Sequence, residues 1–320
     1  MIETSHLNGV LAAAGTAFCW GTAAVFFSSA ARRMGQFHVN QIRLVMAVLL
    51  LAASAAAMGL FGAPLPANQM ALLAVSGFSG LVIGDSAYFV CLAILGPRRG
   101  ILLLSLAPAF TAAMAVPMLG EPLNATALIG MAVTLAGSLW VAIEQGAPGE
   151  MHGNPWAGIG FGIIGAVGQA FGAVLAKAGL GYVDTATSVA QVARLVEPVA
   201  IHPLIGTLVR MVAGGLVLVA LGLARGSAPQ TLGKLSDRHG MMLTLGGTFF
   251  GPFIGVTLSL FALTQTDAAV AATIFATAPV VVIPLVVVLY KQKVSVRAVA
   301  GAIVAIAGVA ILAFKDQIRF

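Results

Sequence analysis

The sequence predicts an all-α integral membrane protein with ten transmembrane helices, arranged as two inverted five-helix repeats. Three observations lead to this fold class: too few charged residues for a soluble protein, ten apolar runs of spanning length, and an internal repeat. Hydrophobic residues make up 60% of the 320 residues, and charged residues make up only 8%. A soluble domain carries about 25% charged residues, so this chain could not cover its own surface with groups that face water.

Ten runs are long and apolar enough to cross a bilayer, which requires about 20 mostly apolar residues each. The predicted spans are 8–31, 37–60, 69–95, 100–119, 125–143, 156–179, 203–224, 241–265, 268–290 and 296–314. Longer connections are predicted at 144–155, 180–202 and 225–240. Glycine is abundant, with 38 residues. Because small residues let neighbouring helices approach closely in lipid, the spans are expected to form a tightly packed bundle.

The two halves of the chain match each other at one ungapped offset of 171 residues, which is 251 minus 80. The pairs that match at this offset include Gly80 with Gly251, Gly84 with Gly255, Pro108 with Pro279, and Gly137 with Gly308. Two different offsets align Arg43 with Arg210 (210 minus 43 is 167) and Trp20 with Gln169 (169 minus 20 is 149). The chain is therefore predicted to consist of two repeats, 1–145 and 146–320, with five spans each. Because five is odd, the halves must cross the membrane in opposite directions, an arrangement typical of secondary transporters.

The distribution of basic residues supports the inversion and predicts the orientation of the chain. The connections after odd-numbered spans hold Arg32, Arg33, Arg98, Arg99, Arg225, Lys234, Arg238, Lys291 and Lys293, with Arg297 at the start of the tenth span. The other face holds only Lys177, Arg194, Lys315 and Arg319. Because positive charge accumulates on the cytoplasmic side, both termini are predicted to face away from the cytoplasm. The basic residues lie in short connections without interleaved aromatic residues, so the net charge of +6 does not indicate a nucleic-acid partner.

Three segments of the chain carry a family resemblance. They are FCWGTAAV (18–25), QIRLVMAVLLLAA with Arg43, and LGEPLNATALIGMAVTLAG (119–137), the last of which is partly repeated between Pro279 and Gly308. With these segments the chain resembles the EamA-type transporters of the drug/metabolite transporter superfamily over nearly its whole length. The resemblance implies a ten-helix fold and the export or exchange of small metabolites.

The chain departs from the family pattern at two places in the second half. Gln292 stands where the first half has Glu121, and Gln169 stands where the first half has Trp20. Members of the family are commonly drawn with cytoplasmic termini, which disagrees with the charge distribution of this chain. The orientation therefore rests on the charges alone.

The segment GLVIGDSAYF (80–89) places Asp85 close to the middle of the third span. A charged carboxylate at the centre of a spanning helix costs about 2.5–3.5 kcal/mol, so its presence requires a reason. The second half has Val256 at the equivalent position, which argues against a structural requirement of the repeat. We expect Asp85 to line a central cavity as a substrate or proton site; the alternative is a protonated carboxyl that hydrogen-bonds to a neighbouring helix. Tyr88 lies on the same helix face and is its expected hydrogen-bond partner.

Other polar and aromatic residues within the spans are candidates for the same cavity. Gln169 and Trp20 are expected to line it, with packing between helices as the alternative for Trp20. Arg43 and Arg210 are expected either to extend to the lipid headgroups or to act as gate or cavity residues that pair with carboxylates or substrate anions.

Structural roles are predicted for a further set of residues. Lys177 lies about one turn from the end of the sixth span and is expected to extend to the headgroups, whereas Glu121 follows the fourth span and is expected to cap a turn. Pro108 and Pro279 each remove a backbone hydrogen bond and are predicted to kink their helices, either as fixed bends or as hinges. The glycines predicted to form packing seams between helices are Gly80, Gly84, Gly251 and Gly255.

Together these patterns predict a secondary active transporter, and specifically an exporter, that moves small metabolites such as amino acids by alternating access. One acid and two arginines suit a molecule that bears both an amine and an acid. No Walker-type phosphate loop is present in the sequence, so ATP is not expected to drive transport. One alternative is the efflux of cationic and other drugs. The other is a membrane enzyme acting on lipids, which is disfavoured because the five histidines lie far apart, in or beside connections: His6, His38, His152, His202 and His239.

No catalytic residue, metal site or cofactor is predicted. Cys19 and Cys91 lie inside apolar runs and are expected to be buried and unpaired. The expected partners are a small-molecule substrate, the lipid bilayer and protons as the coupling ion, and the protein is expected to be a monomer or a dimer. The expected location is the bacterial inner (plasma) membrane.

Overall fold

The computed structural model describes residues 2–145, 154–183, 192, 195–197, 199–281 and 295–317. Helix is the regular secondary structure throughout these ranges, which hold ten principal helices. They are α1 (Ile2–Met34), α2 (Gln36–Ala57), α3 (Ala67–Leu95), α4 (Pro97–Leu104 and Ala107–Leu119), α5 (Ala125–Gln145), α6 (Pro155–Gly179), α7 (Pro203–Ala224), α8 (Arg238–Gln265), α9 (Ala268–Val281) and α10 (Val296–Ala313). Among the described residues, all of these except α9 are long and apolar enough to cross a membrane. The predicted all-α membrane fold is confirmed.

Some predicted features lie outside the described residues. These are Arg194, the ninth span after residue 281 with Lys291, Gln292 and Lys293, and Arg319. The connection predicted at 225–240 contains a short helix, Ala228–Lys234. Cys19 and Cys91 are buried and unpaired, as predicted.

The irregularities of the helices repeat with the offset found in the sequence. A π-helical segment interrupts α3 at Phe78–Gly84, and another interrupts α8 at Phe249–Gly255, which is 171 residues later because 249 minus 78 is 171. The α4 helix breaks at residues 105–106, and α9 breaks at 276–277, again 171 residues apart. Sequence inspection predicted the repeat but not the π-helical segments.

The breaks in α4 and α9 stand just before the two equivalent prolines. Pro108 is the second residue of the segment that follows the first break, and Pro279 lies at the same distance after the second break. Proline has no backbone N–H to donate to the residue four positions earlier, so the helix cannot continue regularly through that turn. The predicted interruption of both helices is confirmed.

Helix packing follows the inversion of the two halves. The α3 helix packs against α6, and its equivalent α8 packs against α1, while α2 packs with α7 and α5 with α10. The predicted glycine seams lie in these contacts. A methyl group added at Gly84 would lie 3.2 Å from the backbone nitrogen of Gln169, and one added at Gly251 would lie 3.1 Å from Cβ of Ala23.

The two ends of the bundle differ in their packing. We call the end with both chain termini the termini face, and the end with most of the arginines the basic face. At the termini face, Val256–Gln265 of α8 packs against α6 and α7, and Ala268–Phe275 of α9 packs against α6. At the basic face, the equivalent segments Asp85–Leu95 and Pro97–Leu104 have no comparable packing against α1. The described helices therefore pack more closely at the termini face than at the basic face.

The substitution Gly137→Ala is expected to destabilise the contact between α5 and α10 by about 1–3 kcal/mol, because a methyl group there has no room. It would lie 2.7 Å from the carbonyl oxygen of Gly301 and would overlap the backbone nitrogen of Ala305. Gly160→Ala in α6 is the matched control, because nothing lies within 4 Å of a methyl group at that position. Thermal unfolding of the two purified variants in detergent measures the difference. Equal stability of the two variants would contradict the close approach of α5 and α10.

Candidate functional site: a carboxylate between two arginines

Asp85 in α3 lies at the centre of a polar cluster within the membrane-spanning part of the bundle. Its Oδ2 atom accepts a hydrogen bond from Nη2 of Arg43 in α2, at 3.1 Å. Its Oδ1 atom accepts a hydrogen bond from Nε2 of Gln169 in α6, at 2.7 Å. The side chain of Asp85 is 21% exposed and that of Arg43 is 17% exposed. Both carboxylate oxygens are therefore bound, yet the pair is still accessible.

The local backbone of α3 explains why Gln169 can reach this carboxylate. The π-helical segment that ends at Gly84 disturbs the regular hydrogen bonds of the helix, and the carbonyl of Gly80 accepts a second hydrogen bond from Nε2 of Gln169, at 3.2 Å. A methyl group at Gly84 would lie 3.3 Å from Nε2 of Gln169, so glycine leaves room for the amide. Single-turn π-helical segments are frequent at functional sites.

Arg43 pairs with the carboxylate instead of extending to the headgroups. Its guanidinium also lies over the ring of Phe27, with its central carbon 5.3 Å from the ring centroid. No acceptor among the described residues lies within hydrogen-bond distance of its buried Nε. Of the two interpretations offered by the sequence, the structure agrees with pairing to a carboxylate.

Arg210 in α7 is the residue equivalent to Arg43 and is only 7% exposed. Its Nη1 donates a hydrogen bond to the carbonyl oxygen of Gly172 in α6, at 3.2 Å. Its Nη2 faces Gly80, where an added methyl group would lie 3.5 Å from it and 3.8 Å from Oε1 of Gln169. Of the two alternatives for Arg210, extension to the headgroups is wrong, because the guanidinium is enclosed by the packed glycines of α3 and α6.

Trp20 and Tyr88 lie outside the hydrogen-bonded cluster of Asp85, and their part in a substrate cavity stays a prediction. The ring of Trp20 packs on Phe275 in α9, with centroids 5.2 Å apart, and a methyl group at Gly255 would lie 2.7 Å from its Cδ1 atom. Tyr88 packs against the ring of Phe89, and it is not among the hydrogen-bond partners of Asp85 that the described residues provide.

The equivalent places of the two repeats therefore differ in polarity. In α3, Asp85 follows the π-helical segment, and Gln169 packs against Gly84, the last residue of that segment. In the equivalent helix α8, Val256 follows the π-helical segment, and Trp20 packs against Gly255, the last residue of that segment. One repeat thus supplies a carboxylate and the other an apolar surface, although both supply an arginine.

A second charged cluster lies at the termini face, where the sequence predicted separate structural roles. Nζ of Lys177 in α6 forms an ion pair with Oε1 of Glu121 and donates a hydrogen bond to the carbonyl oxygen of Thr266, at 2.6 Å. Oε2 of Glu121 accepts a hydrogen bond from the backbone N–H of Ala268, at 2.7 Å. The side chains of Lys177 and Glu121 are 9% and 10% exposed, so the expectation that Lys177 extends to the headgroups is wrong.

This ion pair joins the two halves of the chain and is buried without being deep in the membrane span. Glu121 lies in the connection after α4, and its side chain contacts Lys177 and Ala268, which both belong to the second half. As predicted, Glu121 caps a backbone group. That group is the N–H of Ala268 in the first turn of α9, and not a group in the turn that contains Glu121. Burial raises the pKa of the Glu121 carboxyl above its ordinary value, and the neighbouring Lys177 opposes this rise.

Sequence reasoning missed several neighbours of this ion pair. Lys315 forms an ion pair with Asp267, and Nδ1 of His6 lies 2.8 Å from Oγ1 of Thr266. A cavity of about 430 Å³ opens beside them and is lined in part by Glu121, Lys177 and Asp267. The sequence held one signal for this cluster. Glu121, Asp267 and Lys315 closely follow α4, α8 and α10, and the ends of these three helices lie at the same face in a ten-span topology.

The fold agrees with comparisons to known proteins. The model of the EamA-like transporter family matches residues 7–143 and 186–314. The chain therefore belongs to the EamA-like transporter family. A solved crystal structure of a protein is similar over 95% of both chains, with a TM-score of 0.70 and 17% sequence identity, which establishes a shared fold. No curated protein sequence matches the chain.

Proposed function

We propose that the protein is a secondary active exporter of small metabolites such as amino acids and that it works by alternating access. The observation that carries the proposal is the unequal packing of two equivalent halves. At the termini face, the bundle is packed by Val256–Gln265 and Ala268–Phe275. At the basic face, the packing by the equivalent segments Asp85–Leu95 and Pro97–Leu104 is looser. Two halves with the same fold can exchange these arrangements, and the exchange would open the opposite face.

The buried ion pair at the termini face would have to break in this exchange. Glu121 and Lys177 belong to different halves, so movement of the halves at this face separates them. In the open state both groups would be solvated, which offsets the loss of their attraction. The cost of opening is thereby limited, as a transporter that cycles between two states requires.

Asp85 is the group that would couple transport to a proton gradient. It lies near the middle of the membrane-spanning part, where a carboxylate must be either neutral or paired with a cation. Arg43 and Gln169 bind its two oxygens in this state. Protonation of Asp85 would weaken both contacts, so proton binding and the conformation of α2, α3 and α6 would depend on each other.

The direction of transport follows from the charges of the two faces. Arginines and lysines concentrate at the basic face, which is accordingly the cytoplasmic side of a bacterial inner (plasma) membrane. The looser basic face would receive substrate from the cytoplasm, and closure of that face with opening of the termini face would release the substrate outside.

An export panel tests this function. Cells that produce the protein are loaded with amino acids, sugars or cationic dyes, and efflux is compared with cells that produce Asp85→Asn. Faster efflux of amino acids from cells with the unaltered protein is the expected result. Efflux of cationic dyes without any effect on amino acids would replace the proposal by drug efflux. Uptake in place of efflux would contradict the assigned direction.

A further inference from the structure

We infer that the connection between α7 and α8 binds the headgroups of anionic phospholipids in the cytoplasmic leaflet of the membrane. The connection contains the short helix Ala228–Lys234, which we call the connecting helix. The inference goes beyond the proposed transport function and takes from it only the assignment of the basic face to the cytoplasm. Three features of the connection carry it: an apolar side at headgroup depth, basic residues without acidic partners, and hydrogen bonds to α2.

The connecting helix lies where the bundle meets the lipid headgroups, and one of its sides is apolar. Leu223 near the end of α7 and Met242 near the start of α8 are both exposed, as residues that face lipid are. Between these ends, Leu232 is 64% exposed and Leu235 is 46% exposed. The two leucines are three positions apart and therefore lie on the same side. A helix in the plane of the interface buries such a side at the boundary of headgroups and acyl chains.

Three basic residues of the connection have no acidic partner among the described residues. Arg225 and Arg238 are exposed and flank the connecting helix, and Lys234 is its last residue. None of them takes part in a described ion pair. The single acid between 225 and 240 is Asp237, and Arg33 already donates to both of its oxygens at 3.1 Å. Each basic residue near an anionic leaflet strengthens binding about fivefold, so the connection is complementary in charge to such lipids.

The repeat does not require these basic residues. The equivalent connection of the first half, 58–66, has the sequence MGLFGAPLP and lies at the termini face. It also exposes an apolar side chain, Phe61, but it holds no charged residue. The combination of exposed leucines with unpaired basic residues is therefore particular to the connection at the basic face.

Hydrogen bonds attach the connecting helix to α2 and, through it, to α7. Oγ1 of Thr231 lies 2.8 Å from Oε1 of Gln41 and 2.7 Å from Nδ1 of His38, which are both in α2. Nε2 of Gln41 donates to the carbonyl oxygen of Leu218 in α7, at 2.9 Å. Because α2 and α7 belong to different halves, a lipid held at the connection should stabilise the contact of the two halves at the basic face.

Thermal unfolding of the purified protein in detergent tests the lipid specificity. Phosphatidylglycerol should raise Tm more than the same amount of phosphatidylcholine, which has no net charge. In the double variant Arg225→Gln with Arg238→Gln, the concentration of phosphatidylglycerol that gives half of this increase should rise at least about tenfold, because two contributions of about fivefold are lost. In detergent without added lipid, Tm of the double variant should stay close to that of the unaltered protein.

The matched control is Arg99→Gln with Arg297→Gln, which removes two other exposed arginines from the same face. It should leave the concentration for half of the increase unchanged. An equal rise in both double variants would assign the effect to the general charge of the basic face and overturn the inference. Equal stabilisation of the unaltered protein by phosphatidylglycerol and phosphatidylcholine, or by phosphatidylglycerol and inorganic phosphate, would overturn it as well.

A second measurement leaves the charges unchanged and tests the apolar side. A fluorophore is attached to Leu232→Cys or to Gln230→Cys, in a protein in which Cys19 and Cys91 are replaced by alanine, and the labelled protein is placed in nanodiscs. Gln230 is exposed and lies about 200° around the helix from Leu232. Brominated lipid should quench the label at 232, and dissolved iodide should quench the label at 230.

Equal quenching of both labels by iodide would show that the connecting helix stays in water, and this result would overturn its placement among the headgroups. The comparison remains available if the arginine variants fail to fold. Neither measurement depends on transport, so a negative result in both would leave the proposed function standing.

Discussion

Asp85→Asn is expected to reduce export at least about tenfold, or to make the remaining export independent of pH, while the protein still folds and inserts. The substitution keeps the shape of the side chain and its ability to contact Gln169, but it removes the negative charge that balances Arg43. It also removes the group that would bind and release a proton in each cycle. Export measured between about pH 6 and about pH 8, with the amount of membrane-inserted protein as the reference, provides the comparison.

Asp316→Asn is the matched control for this experiment. Asp316 is an exposed acid at the termini face, so its substitution should leave both the rate and the pH dependence of export unchanged. If Asp85→Asn exports like the control at every pH, then Asp85 is a buried hydrogen-bond acceptor without a part in coupling. Loss of insertion in Asp85→Asn would instead assign the carboxylate a structural role.

Lys177→Met is expected to destabilise the protein by about 3–5 kcal/mol, because it leaves Glu121 buried without its cation. The double variant Lys177→Met with Glu121→Gln should recover most of this loss, since glutamine can still accept the hydrogen bond from Ala268. Thermal unfolding in detergent of both single variants and the double variant gives the coupling energy of the pair. Lys234→Met, which replaces a lysine at the basic face, should have little effect.

The effect of Lys177→Met should also depend on pH. Burial raises the pKa of the Glu121 carboxyl, and removal of Lys177 removes an interaction that lowers it, so the pKa in the folded variant rises further. An acid with a raised pKa in the folded state adds stability at low pH, and this stability is lost as the pH rises through that value. The loss of unfolding free energy in Lys177→Met, relative to the unaltered protein, should therefore increase between about pH 5 and about pH 8. A deficit no larger than that of Lys234→Met would show that Lys177 extends to the headgroups after all.

The positions of the helices and the repeat could be read from the chain, because both depend on local properties. Spans follow from runs of apolar residues, and the break before Pro108 follows from the missing backbone N–H of proline. The π-helical segment at Phe78–Gly84 was not predictable in this way. The sequence of this segment, FSGLVIG, is mostly apolar with two glycines, and it is as compatible with an α-helix as with a π-helix.

The candidate site could be predicted only in part. Asp85 was recognisable because a carboxylate in an apolar span is costly, and its environment followed only from the structure. Tyr88 was the expected partner because it is near in sequence, whereas Gln169 is the partner because α6 packs on α3 through glycines. Lys177 was misjudged for a related reason. A lysine near a helix end usually reaches the headgroups, and its burial depends on Glu121 arriving from the other half of the chain.

The sequence by itself determined that this protein lies in a membrane, that its two halves are related by inversion, and that one half carries a carboxylate where the other has Val256. These properties follow from composition, from hydropathy and from the spacing of glycine and proline, which do not depend on distant contacts. Only the tertiary structure decided that Asp85 pairs with Arg43, that Arg210 is buried and donates to Gly172, and that Glu121 meets Lys177 across the halves. The physical reason is that the energy of a charge in a bundle depends on which other charges and donors the helices bring within a few ångströms, and sequence spacing does not specify that distance.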